Sequence, residues 1–180
     1  MKQRGLSMIL AICIIMSLFV GSTSAASVET VVPEGTYHRV VFKVDENGNI
    51  TILPSESLSR TAERIFGMIY AVNSNNGGNA YTLYFLPGTL TDALYTNRIN
   101  ISVKLLGENG YQTGTYLNKN FSELVLLGGQ EWAFVDVALP AGHTYTMEIT
   151  NLTIPLYDRF WNYLDPSTYE WDIELMDVET

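Results

Sequence analysis

Strict alternation of apolar and polar side chains over residues 144–150 constrains the fold more than any other feature of the sequence. The apolar positions of this segment are Tyr145, Met147 and Ile149. A period of two is typical of a half-buried antiparallel strand. Pro140 and Gly142 precede the strand and favour a turn, because proline has no N–H to donate and glycine accepts a positive φ. Residues 131–150 are therefore predicted to form a β-hairpin around which the other strands pack.

Short strand-like segments separated by Gly, Asn and Pro continue through the chain from residue 37. Besides the two arms of the hairpin, strands are predicted over residues 37–44, 50–53, 65–72, 80–86, 99–105, 121–127 and 169–178. Asp45 to Asn49 should be a hairpin turn, Pro87-Gly88 should end a strand, and residues 107–120 should be a long loop or a weak edge hairpin. About nine strands and no long helix predict an all-β fold over residues 37–180, a single antiparallel, jelly-roll-like β-sandwich.

Residues 55–72 permit two interpretations. Their apolar positions fall near helical spacing, which favours a helix. Residues 65–72 are also a short apolar run with an interior glycine, followed by a cluster of asparagines. We therefore predict a loop over residues 55–63 and a buried strand over residues 65–72.

The first 26 residues have the organisation of a secretory signal peptide. Lys2 and Arg4 precede a 13-residue uncharged run from Met8 to Val20, and small residues follow up to Ala26. The run is shorter than the roughly 20 apolar residues of a spanning helix. Cleavage would leave a flexible leader over residues 27–36 and no membrane insertion. An uncleaved N-terminal anchor is the alternative. The sequence thus predicts a protein that is secreted, extracellular or in the cell envelope.

The net charge bears on the class of partner, and the cysteine content bears on how the domain is stabilised. The chain has 10 basic and 19 acidic residues, a net charge of −9, and its one cysteine, Cys13, lies in the predicted signal peptide. Removing Lys2 and Arg4 leaves 8 basic against 19 acidic residues, or −11. This balance argues against nucleic acid, whose binders concentrate Lys and Arg. Without disulfides, the domain must rely on the size of its core.

Catalytic patterns are weak. The chain has two histidines, His38 and His143, and no serine placed in a nucleophile motif. No catalytic residue is assigned, and enzymatic activity is left uncertain, with a non-enzyme favoured. Glu170, Asp172 and Glu174 share one face of the last strand, where their repulsion would be relieved by a cation such as Ca²⁺. The alternative is a solvated acidic face that discourages edge-to-edge aggregation. No other cofactor is predicted.

An aromatic surface is the main candidate binding site. If Ala133, Val135, Val137 and Leu139 face the core, the opposite face of the strand exposes the following residues: Trp132, Phe134 and Asp136. Aromatic rings stack on the apolar faces of sugars, and a carboxylate accepts hydrogen bonds from their hydroxyls. The aromatic-rich segment 155–166 offers a second site with Trp161 and Tyr163. The alternative is that these rings belong to the core, where aromatics bury large areas.

Four Asn-x-Ser/Thr sequons are candidate glycosylation sites: Asn49, Asn100, Asn120 and Asn151. Asn49 is predicted to lie in a turn and Asn100 on an outward face.

Residues 138–149, Ala-Leu-Pro-Ala-Gly-His-Thr-Tyr-Thr-Met-Glu-Ile, resemble the closing hairpin of the pre-peptidase C-terminal domains of secreted prokaryotic proteins. The resemblance implies a jelly-roll sandwich that acts as a non-catalytic extracellular module, in some cases binding polysaccharide or Ca²⁺. This chain departs from the family because no enzyme domain accompanies the sandwich.

The sequence therefore favours a secreted binding module for a polysaccharide or a cell-surface protein. A structural component of the envelope or surface layer is the alternative, and an enzyme that acts on glycans through carboxylates is the third hypothesis.

Overall fold

The computed structural model describes residues 37–45, 47, 49–53, 63–74, 78–89 and 93–180. The predicted signal peptide, the leader and nearly all of the predicted loop 55–63 lie outside this part of the chain. The described residues belong to one compact unit with 13 β-strands and a 3-10 helix at Pro166–Thr168. The prediction of an all-β sandwich is confirmed. In these residues no helix has the length and apolar character needed to cross a bilayer.

Two sheets make up the sandwich. The first contains β1 (Tyr37–Val44), β2 (Ile50–Ile52), β3 (Glu63–Asn73), β4 (Ala80–Thr89), β7 (Trp132–Ala133), β8 (Val137–Ala138) and β12 (Tyr169–Met176). The second contains β5 (Tyr95–Gly107), β6 (Gln112–Leu126), β9 (Thr144–Thr153), β10 (Leu156–Tyr157), β11 (Tyr163–Leu164) and β13 (Val178–Glu179). The extra strands beyond the predicted nine are mostly segments of two residues.

The strand order places late residues at the centre of the first sheet. Its order is β2-β1-β12-β3-β4, with β7 and β8 both paired to β4. β12 runs antiparallel to β1 and parallel to β3, whereas the other pairs in the fold are antiparallel. In the second sheet β5 lies between β6 and β9, and the β10–β11 hairpin joins the start of β5 where Tyr157 pairs with Tyr95.

The facing surfaces of the two sheets form the core. Fully buried side chains of the first sheet include Phe42, Ile69, Leu83, Phe85, Trp171 and Ile173, and those of the second include Ile99, Ile101, Leu105, Leu117 and Tyr145. Each such side chain contributes roughly 1.5–3 kcal/mol through removal of apolar surface from water. This core performs the stabilising role that disulfides have in smaller secreted domains.

The predicted central hairpin is wrong in its first arm. β9 and the turn are confirmed, and Gly142 has a φ of 78°. The preceding segment, however, forms β7 and β8, which pair with β4 in the other sheet. Between them, Phe134 N–H donates to Leu83 O at 2.9 Å and Val135 N–H to Tyr116 O at 3.0 Å. Residues 134–136 therefore bridge the two sheets and close one side of the sandwich.

Three other boundaries differ from the prediction. β4 continues through Pro87, which pairs with Gly67 beyond the end of β7, where β4 has no second strand neighbour among the described residues and proline is tolerated. Residues 107–120 form the turn of a hairpin and the start of β6, which confirms the edge-hairpin alternative, but β6 also continues through the predicted strand 121–127 as far as Leu126. β5 begins at Tyr95, four residues before the start of the strand predicted over residues 99–105. The strand predicted over residues 65–72 is confirmed within β3.

Candidate functional site: the aromatic hairpin tip

The predicted platform of Trp132, Phe134 and Asp136 is not open. Phe134 is 4% exposed and belongs to the core, whereas Val135, predicted inward, is 50% exposed. The alternation fails because residues 134–136 leave the strand to bridge the two sheets, so the orientation predicted for Ala133, Val135 and Phe134 is wrong. Val137 and Leu139 are buried, as predicted.

The other two residues of that platform are held by neighbours. Trp132 is half-buried, and its ring centroid lies 5.1 Å from that of Phe121. Its indole N–H is buried and has no hydrogen-bond partner. The Asp136 carboxylate accepts a hydrogen bond from the Thr82 hydroxyl. These contacts are those of a structural corner rather than a stacking surface.

The acidic face of β12 is confirmed, but its surroundings are not those of a terminal strand. Glu170 and Asp172 are 0% and 1% exposed, because β12 lies between β1 and β3. The prediction of a solvated, edge-protecting acidic face is therefore wrong. No local pattern in the sequence indicated that the strand of residues 169–176 lies at the centre of a sheet.

Side chains of the flanking strands neutralise these acids. The Arg39 guanidinium donates two hydrogen bonds to Asp172, and this contact raises the pKa of Arg39. Lys43 Nζ lies 3.6 Å and Arg64 Nε 3.8 Å from the Glu170 carboxylate. Among the described residues no group of three or more His, Cys, Asp or Glu is arranged to hold a metal ion. The repulsion that motivated a calcium site at Glu170, Asp172 and Glu174 is thus relieved by Arg and Lys.

The predicted aromatic pair, Trp161 and Tyr163, lies in the β10–β11 hairpin, whose turn is Asp158 to Asn162. The Asp158 carboxylate accepts hydrogen bonds from Phe160 N at 2.8 Å, Asn162 N at 2.9 Å and Asn162 Nδ2 at 2.9 Å. Bonds to Asn162 hold the pKa of Asp158 below its usual range. The backbone adds bonds from Asp158 N to Asn162 O and from Trp161 N to Asp158 O, both at 3.0 Å. The turn is therefore fixed by its first and last residues.

The turn between β1 and β2 repeats four of these five hydrogen bonds. Asp45 accepts from Asn47 N at 2.8 Å, Asn49 N at 2.8 Å and Asn49 Nδ2 at 2.7 Å, and Asp45 N donates to Asn49 O at 3.0 Å. The sequences are Asp-Glu-Asn-Gly-Asn and Asp-Arg-Phe-Trp-Asn. The fourth residue is a glycine in the first turn and Trp161 in the second.

Trp161 occupies a backbone conformation that side chains disfavour. Its φ is 69°, and no other non-glycine residue in the described part of the chain has a positive φ. The left-handed region costs an L-residue roughly 1–2 kcal/mol, so a glycine is the locally favoured residue at this position. The chain instead places its largest side chain there.

Three aromatic rings project from this hairpin, and we call them the tip aromatics: Phe160, Trp161 and Tyr163. They are 70%, 71% and 59% exposed. The Arg159 guanidinium lies 4.7 Å from the centroid of the Phe160 ring, and the Tyr163 ring packs edge-on against Tyr157 at 5.7 Å. Phe160 was not selected from the sequence, although its place within the Asp-x-x-x-Asn turn was a usable signal.

A cleft lies on each side of the hairpin. One, of about 240 Å³, is lined by residues that include Asp45, Asn47, Arg98, Tyr163, Pro166 and Trp171. The other, of about 320 Å³, is lined by residues that include Glu63, Leu94, Asp158, Arg159, Phe160 and Leu164. Apolar ring faces beside a small number of polar groups are typical of ligand sites.

The four sequons differ in accessibility. Asn49 and Asn120 are exposed, whereas Asn100 and Asn151 are half-buried within paired strands. Asn49 already donates its side-chain amide to Asp45. Asn120 in β6 is therefore the most accessible acceptor of the four.

No protein-family model matches the sequence, and no curated protein or solved structure matches it significantly. The resemblance of residues 138–149 to pre-peptidase C-terminal domains stays a prediction.

Proposed function

We propose that this protein is a secreted, non-catalytic module that binds a glycan through the tip aromatics. The observation that carries the proposal is the left-handed conformation of Trp161, which is 71% exposed. Burial does not account for an indole at this position, and the local backbone favours glycine there. Recognition of a ligand accounts for both the ring and its exposure.

The chemistry of the tip suits sugars. Indole and phenol rings present flat apolar faces, which match the C–H faces of pyranose rings, and Tyr163 adds a hydroxyl. The hydrogen-bonded turn holds the rings before a ligand arrives, so little conformational entropy is lost on binding. The clefts beside the hairpin supply carboxylate, amide and guanidinium groups for hydroxyl recognition.

Export from the cytoplasm is the other half of the proposal. It is supported by the charged start, the 13-residue uncharged run and the small residues up to Ala26. The resemblance of residues 138–149 to an extracellular accessory domain is consistent with the same role.

Binding to a panel of immobilised and soluble polysaccharides tests the proposal. Wild-type protein should bind one of them saturably, with a change in tryptophan fluorescence. Trp161→Gly should abolish that binding and keep the fold. It removes an exposed ring and introduces glycine, the residue at the fourth position of the turn between β1 and β2.

Tyr116→Ala is the matched control. Tyr116 is 54% exposed in β6 and pairs with Ser102, seven residues along β5 from the hairpin, or on the order of 23 Å. This variant should bind as the wild type does. Equal binding by the wild type and Trp161→Gly would refute the assignment of the tip, and an absence of binding to every glycan would refute the function.

A structural role in a surface layer is the second candidate, favoured by the outer face of the first sheet. Half-buried apolar side chains lie there on β3 and β4, namely Phe66, Met68, Tyr84 and Leu86, and Val72 is 41% exposed beside them. Apolar patches of this kind mark interaction surfaces. Under this hypothesis the protein self-associates, and Val72→Asp reduces the association measured by sedimentation. A monomer at all concentrations would contradict it.

A further inference from the structure

Unpaired cations distinguish the region around the hairpin. Of the seven Lys and Arg side chains in the described part of the chain, four pair with carboxylates: Arg39 with Asp172, Lys43 and Arg64 with Glu170, and Lys104 with Glu148. Within the described ranges, Arg98, Lys119 and Arg159 contact no carboxylate at ion-pair distance. Two of these three, Arg98 and Arg159, line the clefts on either side of the hairpin.

Arg98 lies in β5 beside a bulge of β6. The register between β5 and β6 shifts between Thr96 and Arg98, so that four residues of β6, 121–124, lie opposite the single residue Asn97. Thr96 is fully buried, and its hydroxyl donates to Arg98 O at 2.8 Å and accepts from Arg98 N at 3.2 Å. A bulge of this kind interrupts the hydrogen-bond ladder and increases the local twist beside Arg98. The buried hydroxyl holds the backbone of Arg98 on both sides of its Cα.

The two clefts differ in their balance of charge. The cleft of Arg159 also contains Glu63 and Asp158, so two carboxylates oppose one guanidinium. Among the described residues that line the cleft of Arg98, one carries a carboxylate, Asp45, whose oxygens accept three hydrogen bonds from its own turn. An anionic ligand is therefore better accommodated beside Arg98.

We propose that the glycan is acidic and that Arg98 binds the carboxylate of a uronic acid residue in the 240 Å³ cleft. This inference rests on the proposed function. A guanidinium presents paired N–H donors that match the two oxygens of a carboxylate. Tyr163 lines the same cleft, so one sugar ring contacts the aromatic hairpin while its carboxylate reaches Arg98. Asp45 limits the site to one negative group and favours a spaced acidic polymer over a densely charged one.

The test compares polygalacturonate with its carboxyl-reduced, neutral form, using the full chain. Wild-type protein should bind the acidic polymer more tightly, and the difference should shrink with added salt. Arg98→Gln should lose about tenfold in affinity for the acidic polymer and none for the neutral one, as expected for a charge-assisted hydrogen bond. The affinity of Arg98→Lys for the acidic polymer should lie between those of the wild type and Arg98→Gln, because an ammonium group keeps the charge but lacks the planar pair of N–H donors.

Two further variants distinguish an effect of the position of Arg98 from an effect of net charge. Lys119→Gln removes the same charge from the neighbouring strand and should leave the preference unchanged. Thr96→Val removes the hydroxyl that holds Arg98, and it should reduce the preference while affinity for the neutral polymer stays constant. Melting curves of all variants establish that they are folded.

The outcomes distinguish the two proposals. Equal wild-type affinity for both polymers, or equal losses in Arg98→Gln and Lys119→Gln, overturns the assignment of Arg98 and leaves the glycan-binding function standing. Binding to neither polymer nor to any other glycan overturns both.

Discussion

The conformation of Trp161 can be measured as a free energy with two substitutions. Trp161→Gly and Trp161→Ala remove the same ring and the same partial burial, so these losses cancel between the variants. They differ in their tolerance of a φ of 69°. The left-handed conformation destabilises the alanine variant by roughly 1–2 kcal/mol. The greater entropy of glycine in the unfolded chain destabilises the glycine variant by roughly 0.4–1 kcal/mol, which offsets part of this difference. We expect Trp161→Gly to be the more stable variant by about 0.5–1 kcal/mol.

Urea unfolding followed by circular dichroism measures the difference, since midpoints with equal slopes report stability directly. Tyr163 supplies the control, because it lies in β11 and has no positive φ. There the order should invert: Tyr163→Gly should be less stable than Tyr163→Ala by about 0.5–1 kcal/mol, because glycine weakens a strand. If alanine matches or exceeds glycine at position 161, the turn is not strained and the main argument for a displayed ring fails.

Three further outcomes test the surrounding structure. Tyr145→Phe should cost about 0.5–1.5 kcal/mol in urea unfolding, because it removes the hydrogen bond that the buried Tyr145 hydroxyl donates to Pro140 O at 2.9 Å, while the Thr180 hydroxyl still donates to the same oxygen at 2.8 Å. Gly107→Ala should cost about 1–3 kcal/mol by the same assay, since an added Cβ would lie 2.7 Å from the Tyr145 ring; a variant as stable as the wild type would contradict that packing. The pKa of Asp158 is lower in the folded protein than in the unfolded chain, so its ionised carboxylate stabilises the fold above the unfolded pKa of about 3.9, and this stabilisation is lost as the pH falls through the folded pKa. The difference in free energy of unfolding between wild type and Asp158→Asn should therefore shrink below about pH 4. A difference independent of pH would show that the turn bonds do not depend on ionisation.

Local sequence patterns were sufficient to predict a regular strand with one face in the core. The alternation at Tyr145, Met147 and Ile149 predicted β9 because side chains on a strand alternate whatever its partner is. The failure at Phe134 has a different origin. Residues 134–136 bridge the two sheets, which shifts the alternation of buried and exposed side chains. No residue in 131–139 indicates from the sequence that the chain passes between sheets there.

Pairing across the chain explains the error at the acidic face. The spacing of Glu170, Asp172 and Glu174 is visible in the sequence, as is the matching spacing of Arg39 and Lys43. That these residues lie on adjacent strands depends on a contact between segments more than 120 residues apart, about which local periodicity carries no information.

The candidate site was predicted in part. Aromatic density in residues 155–166 was sufficient to select Trp161 and Tyr163. The positive φ of Trp161 required comparison of two Asp-x-x-x-Asn segments, in which a glycine and a tryptophan occupy equivalent places. The role of Arg98 depends on the bulge of β6 and on which cations are paired with carboxylates, and neither follows from local patterns in the sequence.

The central place of β12 has a kinetic consequence. Within the described residues β1 and β3 both pair with β12 and not with each other, so the first sheet remains in two parts until residues 169–176 are available. Its nucleus must bring together segments with large sequence separation, which predicts slow folding relative to helical domains of this size. A chain emerging from the ribosome would hold β1 and β3 with unpaired edges until residues 169–176 have followed. That interval is the one in which a chaperone has a substrate and aggregation competes with folding.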